Sequence, residues 1–365
     1  MWRPFVLFAA LLLPTAPFAA DVDGSARLSL WGAVDTNARR EYDGGQLDLL
    51  VSALGAVDGG IALQSARLLG RYELGARKFT MNESEDALVQ SAQGEASFAV
   101  ARTIGVGLLM RGRDRRAGAR SFSDLGAQAF VDFVPDATVS FRASGAARRY
   151  IHWQDFRHSF AATELGAAAR YRVDRMHALH LFGELSLRRH NANAQAREDP
   201  PSGSNECVGT RPLDYRRRDT FLRAGLGWSL RGGVPLTLTY SYTQDDSNSF
   251  GESWRQHRLA GTAGFRLPWE LTLLAQVSIQ LADYPDGIFL SPDLVAEEDS
   301  ENFNALSLKL ARPIASSVDL ELKWSVYYSQ LPRTSLDGVC TPSTPLGVEY
   351  TRQLFWVGAT WRYER

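Results

Sequence analysis

The chain has 365 residues, and its 40 Lys and Arg nearly balance its 41 Asp and Glu, so no global basic balance points to nucleic acid. Aromatics at 11%, charged residues at 22% and 31 glycines suit either a soluble β protein or a membrane barrel, whose apolar and polar faces average out. No segment after the N-terminus approaches 18 uncharged apolar residues, which excludes a transmembrane helix.

The first twenty residues read as a secretory signal peptide. Arg3 supplies positive charge, Phe5 to Leu13 is an apolar run, and Phe18, Ala19 and Ala20 form a small-residue cleavage site before Asp21. Residues 21–365 carry no linker or low-complexity tract and are expected to form one unit.

From Ser25 onward the side chains alternate with a period of two, the signature of β-strands. Ala26, Leu28, Leu30, Gly32 and Val34 make the first apolar row. Leu47, Leu49, Val51 and Ala53 make the second, with a turn predicted at Asp58, Gly59 and Gly60. A strand over Ile61 to Phe79 shows Leu68, Tyr72 and Leu74 on one face and Arg67, Arg71, Glu73 and Arg77 on the other. Two further rows follow, with Arg111 opposite the second, then a basic loop over Asp114 to Phe122. The next pair carries Leu125 to Phe133 and Val139 to Ala143, with Arg142 and Arg148 on the opposite face, before an aromatic loop from Tyr150 to His158.

Leu165 to Tyr171 alternates with Arg170 and Arg172, and Leu179 to Leu187 with His180, Glu184 and Arg188. His190 to Arg218 reads as the longest loop. Beyond it come Leu222 to Leu230, with Arg223 opposite, Leu236 to Tyr242, and Leu259 to Phe265 with Arg258 and Arg266 opposite. Leu271 to Leu281 leads to an acidic loop over Tyr284 to Ser300. A long hairpin follows, with Lys309 and Lys323 on its polar face, and the last strand carries Phe355, Val357, Trp361 and Tyr363.

The pattern predicts an all-β chain of about sixteen strands, within a range of roughly 14 to 18, in which short turns alternate strictly with longer polar loops. That alternation and an even strand number point to a transmembrane antiparallel β-barrel in the outer membrane, in contact with its lipid. Tyr240, Tyr242, Trp228, Trp324, Tyr328, Trp361 and Tyr363 are expected as an aromatic girdle. If the apolar rows face lipid, the lumen is lined by Arg67, Arg71, Arg77, Arg111, Arg142, Arg170, Arg172, Arg188, Arg223, Arg258, Arg266, Lys309 and Lys323. Against them stand Glu73, Glu95, Asp132, Glu184, Asp319 and Glu321, so the interior is expected to be net positive. This reads either as an anion-preferring conduit or as ion-pair ladders that brace the wall.

The six histidines show no metal-ligand spacing, and no phosphate loop or cofactor motif is present, so neither a metal nor a cofactor is expected. Ser159 beside His158 reads as incidental rather than as a hydrolase pair, and no enzyme activity is expected. The acidic run Asp293 to Glu301 reads as a Ca²⁺ loop or, more simply, as a solvated loop. Cys207 and Cys340 fall in predicted loops and are either one disulfide or two thiols.

Several phrases carry a resemblance: Ser121-Phe-Ser-Asp-Leu125, Asn248-Ser-Phe-Gly-Glu252, Arg266-Leu-Pro-Trp269, Tyr284-Pro-Asp-Gly-Ile-Phe-Leu-Ser-Pro292 and Leu306-Ser-Leu-Lys-Leu-Ala-Arg-Pro313. Together they resemble outer-membrane barrels from myxobacteria and relatives that serve as the integral component of polysaccharide secretion. The resemblance implies an exit channel for an exopolysaccharide or capsule-like polymer, working with a periplasmic polysaccharide export protein. It fits an Arg-lined interior if the polymer is an anionic polysaccharide, and it supplies no catalytic residues. The terminal Trp361 to Tyr363 stretch resembles the signature read by the barrel assembly machinery, though the chain ends in Tyr-Glu-Arg. An anion-preferring porin for small solutes, with residues 190–218 or 284–300 folded in as a constriction loop, is the alternative.

Overall fold

The computed structural model describes residues 21–38, 45–198, 209–286, 304–330 and 349–364. The signal-peptide assignment, Cys207, Cys340 and the acidic run from Asp293 lie outside the described residues. Sixteen strands follow in chain order: β1 (Asp21–Asp35), β2 (Asp48–Ala62), β3 (Ala66–Phe79), β4 (Ala87–Ala101), β5 (Ile104–Arg116), β6 (Phe122–Phe133), β7 (Val139–His152) and β8 (Phe160–Arg172). The second half comprises β9 (His177–Glu198), β10 (Gly209–Leu230), β11 (Leu236–Ser247), β12 (Trp254–Arg266), β13 (Thr272–Asp283), β14 (Asn304–Ala315), β15 (Val318–Gln330) and β16 (Glu349–Glu364). Each strand pairs antiparallel with its sequence neighbour, and β1 pairs with β16 from Ser25↔Glu364 to Asp35↔Leu354, so the sheet closes into a barrel. Closure leaves no sheet edge, the condition for spanning lipid with strands.

The outer face carries the apolar rows. Leu28 and Leu30 of β1, Leu181 and Leu187 of β9, Leu226 of β10 and Val357 of β16 are all exposed, as are their counterparts around the circumference. Each such side chain moved from water into hydrocarbon stabilises the inserted barrel by roughly 1.5–3 kcal/mol. Trp361 and Tyr363 stack near the short-turn end, and Trp228 stacks on His177 there, as an interfacial girdle would. Trp324 departs from the expected girdle: it lies midway along β15, stacked on Phe355.

Strand boundaries differ from the sequence expectation at several places, three of which matter most. Gly59 and Gly60 do not turn the chain; they pair with Gly70 and Leu69, and β2 runs on to Ala62. The loop expected over residues 114–122 is shortened by β5, which reaches Arg116. Most of the expected 190–218 loop is strand, because β9 and β10 are each 22 residues long and pair out to Glu198 and Gly209. Their neighbours stop at Phe160, opposite His190, and at Ser247, opposite Asp219, so the hairpin stands beyond the rim as an arm. It stands clear of the lipid-facing rows, with Ala194 and Arg217 buried against neighbouring structure, so backbone pairing persists without the apolar alternation that lipid imposes. The Phe250 amide donates to the Gln195 carbonyl and the Gln195 amide to Ser249 Oγ, which ties the arm to the β11–β12 loop.

Inside the wall, three glycines lie directly opposite aromatic residues: Gly358 beside Trp31, Gly107 beside Phe130 and Gly225 beside Phe182. A Cβ on Gly358 would fall 1.8 Å from Trp31 Cδ1 and 2.3 Å from the Leu30 carbonyl oxygen, so the ring fills the side-chain space the glycine leaves.

Candidate functional site: the barrel lumen

The period of two places alternate residues inside, and the register settles which. Buried Ser29, Asp35, Glu164, Ser186, Glu321 and Thr360 share the inner face, and all thirteen cations expected in the lumen lie on it. Five of them pair with carboxylates: Arg71 with Glu73 at 2.5 Å, Arg111 with Glu164 at 3.4 Å, Arg142 with Asp132 at 2.7 Å, Arg188 with Asp245 at 3.2 Å and Lys309 with Glu321 at 2.8 Å. Arg258 donates to Ser278 Oγ, Arg223 lies over Phe182, and Arg77 and Lys323 lie over Trp356. Arg67, Arg170, Arg172 and Arg266 form no ion pair among the described residues. Arg71 and Arg111 keep about half of their side chains accessible, 51% and 49%, so water reaches the lumen at these heights.

The half of the lumen near the long loops is braced. Arg148 chelates Asp124 with Nε and Nη2, at 2.8 and 3.0 Å, and approaches Glu164 at 3.7 Å, linking β6, β7 and β8. Phe122, Tyr150, Phe160 and His190 stack in sequence with centroids 5.3, 5.2 and 5.1 Å apart. Arg188 bridges Phe160 to Phe221, which meets Trp254 edge-on. Farther up, Arg217 pairs with Asp219 and with Glu252 at 2.6 and 2.8 Å, and His190 Nε2 lies 2.8 Å from Asp219. At the closure, Arg352 chelates buried Asp35. Arginine suits these places because its planar fork satisfies both carboxylate oxygens. The sequence reading passed over Asp35, Asp124, Glu164, Asp219 and Asp245, so the interior holds more negative charge than expected; their strand parity was the available signal.

The short-turn half is different. Short turns mark the periplasmic side of outer-membrane barrels. There Arg170 and Arg172 end β8 and Arg266 ends β12, each on the inner face with no carboxylate bonded to it among the described residues. Across the barrel, Asp23, Asp58, Glu95 and Glu364 line a recess of about 440 Å³ with Arg71. β8 and β9 are half a circumference from β16 and β1. The β8 side of the periplasmic mouth is therefore cationic and the β1–β4 side richer in carboxylates, although Arg67 and Arg71 also lie on the latter and Arg266 of β12 stands a quarter of the circumference from β8 and from β16. In a water-filled mouth with low-dielectric walls such an asymmetry sets up a transverse field.

The loop between β7 and β8 closes part of the opposite rim. Asp155 caps a single 3-10 turn, and its hydrogen bonds from Arg157 hold its carboxyl down at about 2. Burial pushes the neighbouring His158 down to about 4, with the nearby positive charge of Arg217 acting in the same direction. Ser159 is fully buried and its hydroxyl accepts the His152 amide, so it braces this turn.

No protein-family model matches the chain. No curated protein matches it either. Among solved structures, Salmonella typhi OmpF in complex with daunomycin superposes with a TM-score of 0.51 at 9% identity, covering 94% of this chain and 97% of that one. The chain is an outer-membrane β-barrel of porin-like fold. A bacterial polysaccharide outer membrane secretin matches with a TM-score of 0.42 at 8% identity over 93% of this chain and 98% of that one. OmpT of Vibrio cholerae matches with a TM-score of 0.46 at 10% identity over 96% and 99%. These last two likenesses carry no functional weight.

Proposed function

We propose that this barrel is a non-enzymatic, anion-preferring passage across the outer membrane, entered from the periplasm, and that its cargo is an anionic polysaccharide delivered by a periplasmic export protein. The observation that carries the anion preference is the contrast between the two halves of the lumen. Arg148, Arg188, Arg217 and Arg352 toward the long loops are bound to carboxylates, whereas Arg170, Arg172 and Arg266 at the periplasmic mouth have no such partner among the described residues, although Arg142 and Arg362 at that end are paired with Asp132 and Asp319. Uncompensated guanidiniums within reach of water attract a chain of carboxylates or phosphates without holding it rigidly. The polymer itself rests on the resemblance of the sequence phrases above.

A porin for small anions is the second reading, favoured by the same charge distribution and by the accessible mid-height arginines. Planar-bilayer recordings of the refolded mature protein separate the two. Reversal potentials in a salt gradient should show anion preference, and R170Q/R172Q/R266Q should reduce it several-fold. Block by an acidic polysaccharide added on the periplasmic side, with no block by small organic anions, supports export; the reverse supports the porin. Selectivity unchanged in the triple variant refutes both.

A further inference from the structure

The outer wall carries one basic row that the lumen does not explain. Arg149 of β7, Ala161 of β8, Arg189 of β9 and Arg218 of β10 are consecutive cross-strand partners. Their parity is that of lipid-facing Leu165, Leu185, Leu187 and Leu222, so the three guanidiniums emerge on the outside. All three are exposed. On each strand they stand immediately beyond the apolar rows, at the end near the long loops, which is the outer-leaflet boundary. Adjacent strands lie about 4.8 Å apart, so Arg189 and Arg218 are immediate neighbours and Arg149 stands about 10 Å farther along the row.

Like charges placed directly opposite across two strands are destabilising. Elsewhere on this outer rim, cations are matched. Lys78 pairs with Asp86 at 2.6 Å, Arg116 pairs with Asp114 at 3.0 Å, and Arg255 stands opposite Asp283. Among the described residues, Arg149, Arg189 and Arg218 form no ion pair. An external anion is what would complete such a row. At that height, facing outward, the anion available to a barrel in this membrane is the phosphate of the outer-leaflet glycolipid.

We propose that Arg149, Arg189 and Arg218 form a binding site for the phosphorylated head group of lipid A. The acyl chains would lie against Leu187, Leu185 and Leu222 below the row, while the guanidiniums chelate phosphate oxygens in the bidentate geometry that arginine favours. Exposed Arg216 follows Arg218 on the same face of β10 above the row. The inference holds whatever passes through the lumen, because these residues face away from it.

The test is native mass spectrometry of the full mature protein in nonionic detergent, titrated with diphosphoryl lipid A. The wild type should bind it and should bind dephosphorylated lipid A at least about ten-fold more weakly, since the site reads phosphate charge. R149Q/R189Q/R218Q should weaken diphosphoryl lipid A by a similar factor, while R116Q, which alters a cation already matched by Asp114, should not. Single-channel conductance of the triple variant should match the wild type, which also verifies that it folds; if it does not fold, R189Q and R218Q alone give the same readout. Equal lipid A binding by variant and wild type would overturn the proposal. So would displacement of the lipid by equimolar inorganic phosphate, which would reveal a free-anion site. Loss of an oligomer in the variant with lipid affinity unchanged would assign the row to a contact between copies and would equally overturn it.

Discussion

Replacing Arg352 by Met tests how the barrel is closed. Arg352 is 3% exposed and Asp35 is 0% exposed, and three short contacts join them across the β16–β1 seam: Nε to both carboxylate oxygens at 3.1 and 3.0 Å, and Nη2 to Oδ2 at 2.5 Å. In R352M the Asp35 carboxylate loses these donors and keeps the Asn37 amide, at 3.0 Å. Removing one partner of a buried pair typically costs about 3–5 kcal/mol, because a charge is left without compensation. That is a shift of about 150-fold to 5,000-fold in the folding equilibrium. Replacing both partners by apolar groups of similar size is often nearly neutral, so D35L/R352M should recover most of the loss. The assay is equilibrium urea unfolding of the mature protein in phosphatidylcholine vesicles, read by tryptophan fluorescence. A single variant within about 1 kcal/mol of wild type, or a double variant no better than the single, would refute the reasoning that the seam is held by this pair.

Gly358→Ala should destabilise the same seam by about 1–3 kcal/mol, since the new methyl meets Trp31 and the Leu30 carbonyl and one of them must move; an unchanged urea midpoint would count against the ring-over-glycine packing. Acid should loosen the β7–β8 loop in two steps. The folded value of His158 lies below its ordinary 6.5, so the stability contributed by the neutral ring is complete above pH 6.5 and is lost as the pH falls to about 4. The depressed Asp155 contributes above pH 3.8 and fades toward about 2, by about 1 kcal/mol because Arg157 is largely solvated. Proteolysis within residues 153–159 should therefore accelerate from pH 7 to pH 4, with the barrel intact; equal cleavage rates would exclude the His158 step. D58N/E95Q removes two carboxylates from the acidic wall of the mouth and should raise anion preference severalfold in bilayer recordings; a fall in preference would contradict the proposed field.

The fold was legible where lipid dictates the outer face. Rows such as Leu306, Leu308 and Leu310, or Val318 to Tyr328, alternate because one face must be apolar along the whole crossing, and every inferred lumen cation falls on the inner face for the same reason. Legibility failed where lipid ends. Asp35 and Asp245 stand near strand ends, and Asp219 stands at the rim where the arm of β10 begins; the polar character there resembles loop and masks their inward parity, and residues 190–198 and 209–218 pair as an arm without any apolar row. Gly60 looked like a turn residue, yet its missing Cβ makes room for the Asp23 carboxylate, which would lie 2.2 Å from such an atom.

The pairing of charges was illegible for a deeper reason. Parity assigns a residue to the lumen, but which carboxylate it meets depends on the stagger between strands far apart in sequence, as with Arg111 and Glu164, or with Arg352 and Asp35. The sequence alone therefore left the anion conduit and the ion-pair ladder as rival readings of the same arginines. In the structure some of these arginines are bound to carboxylates and others are not. Toward the long loops, Arg148, Arg188, Arg217 and Arg352 brace the wall. Arg170, Arg172 and Arg266 at the periplasmic mouth, and the outward row, have no carboxylate bound to them among the described residues, whereas Arg142 and Arg362 at the same end are paired with Asp132 and Asp319; the unpaired arginines are where an external anion can supply the missing charge.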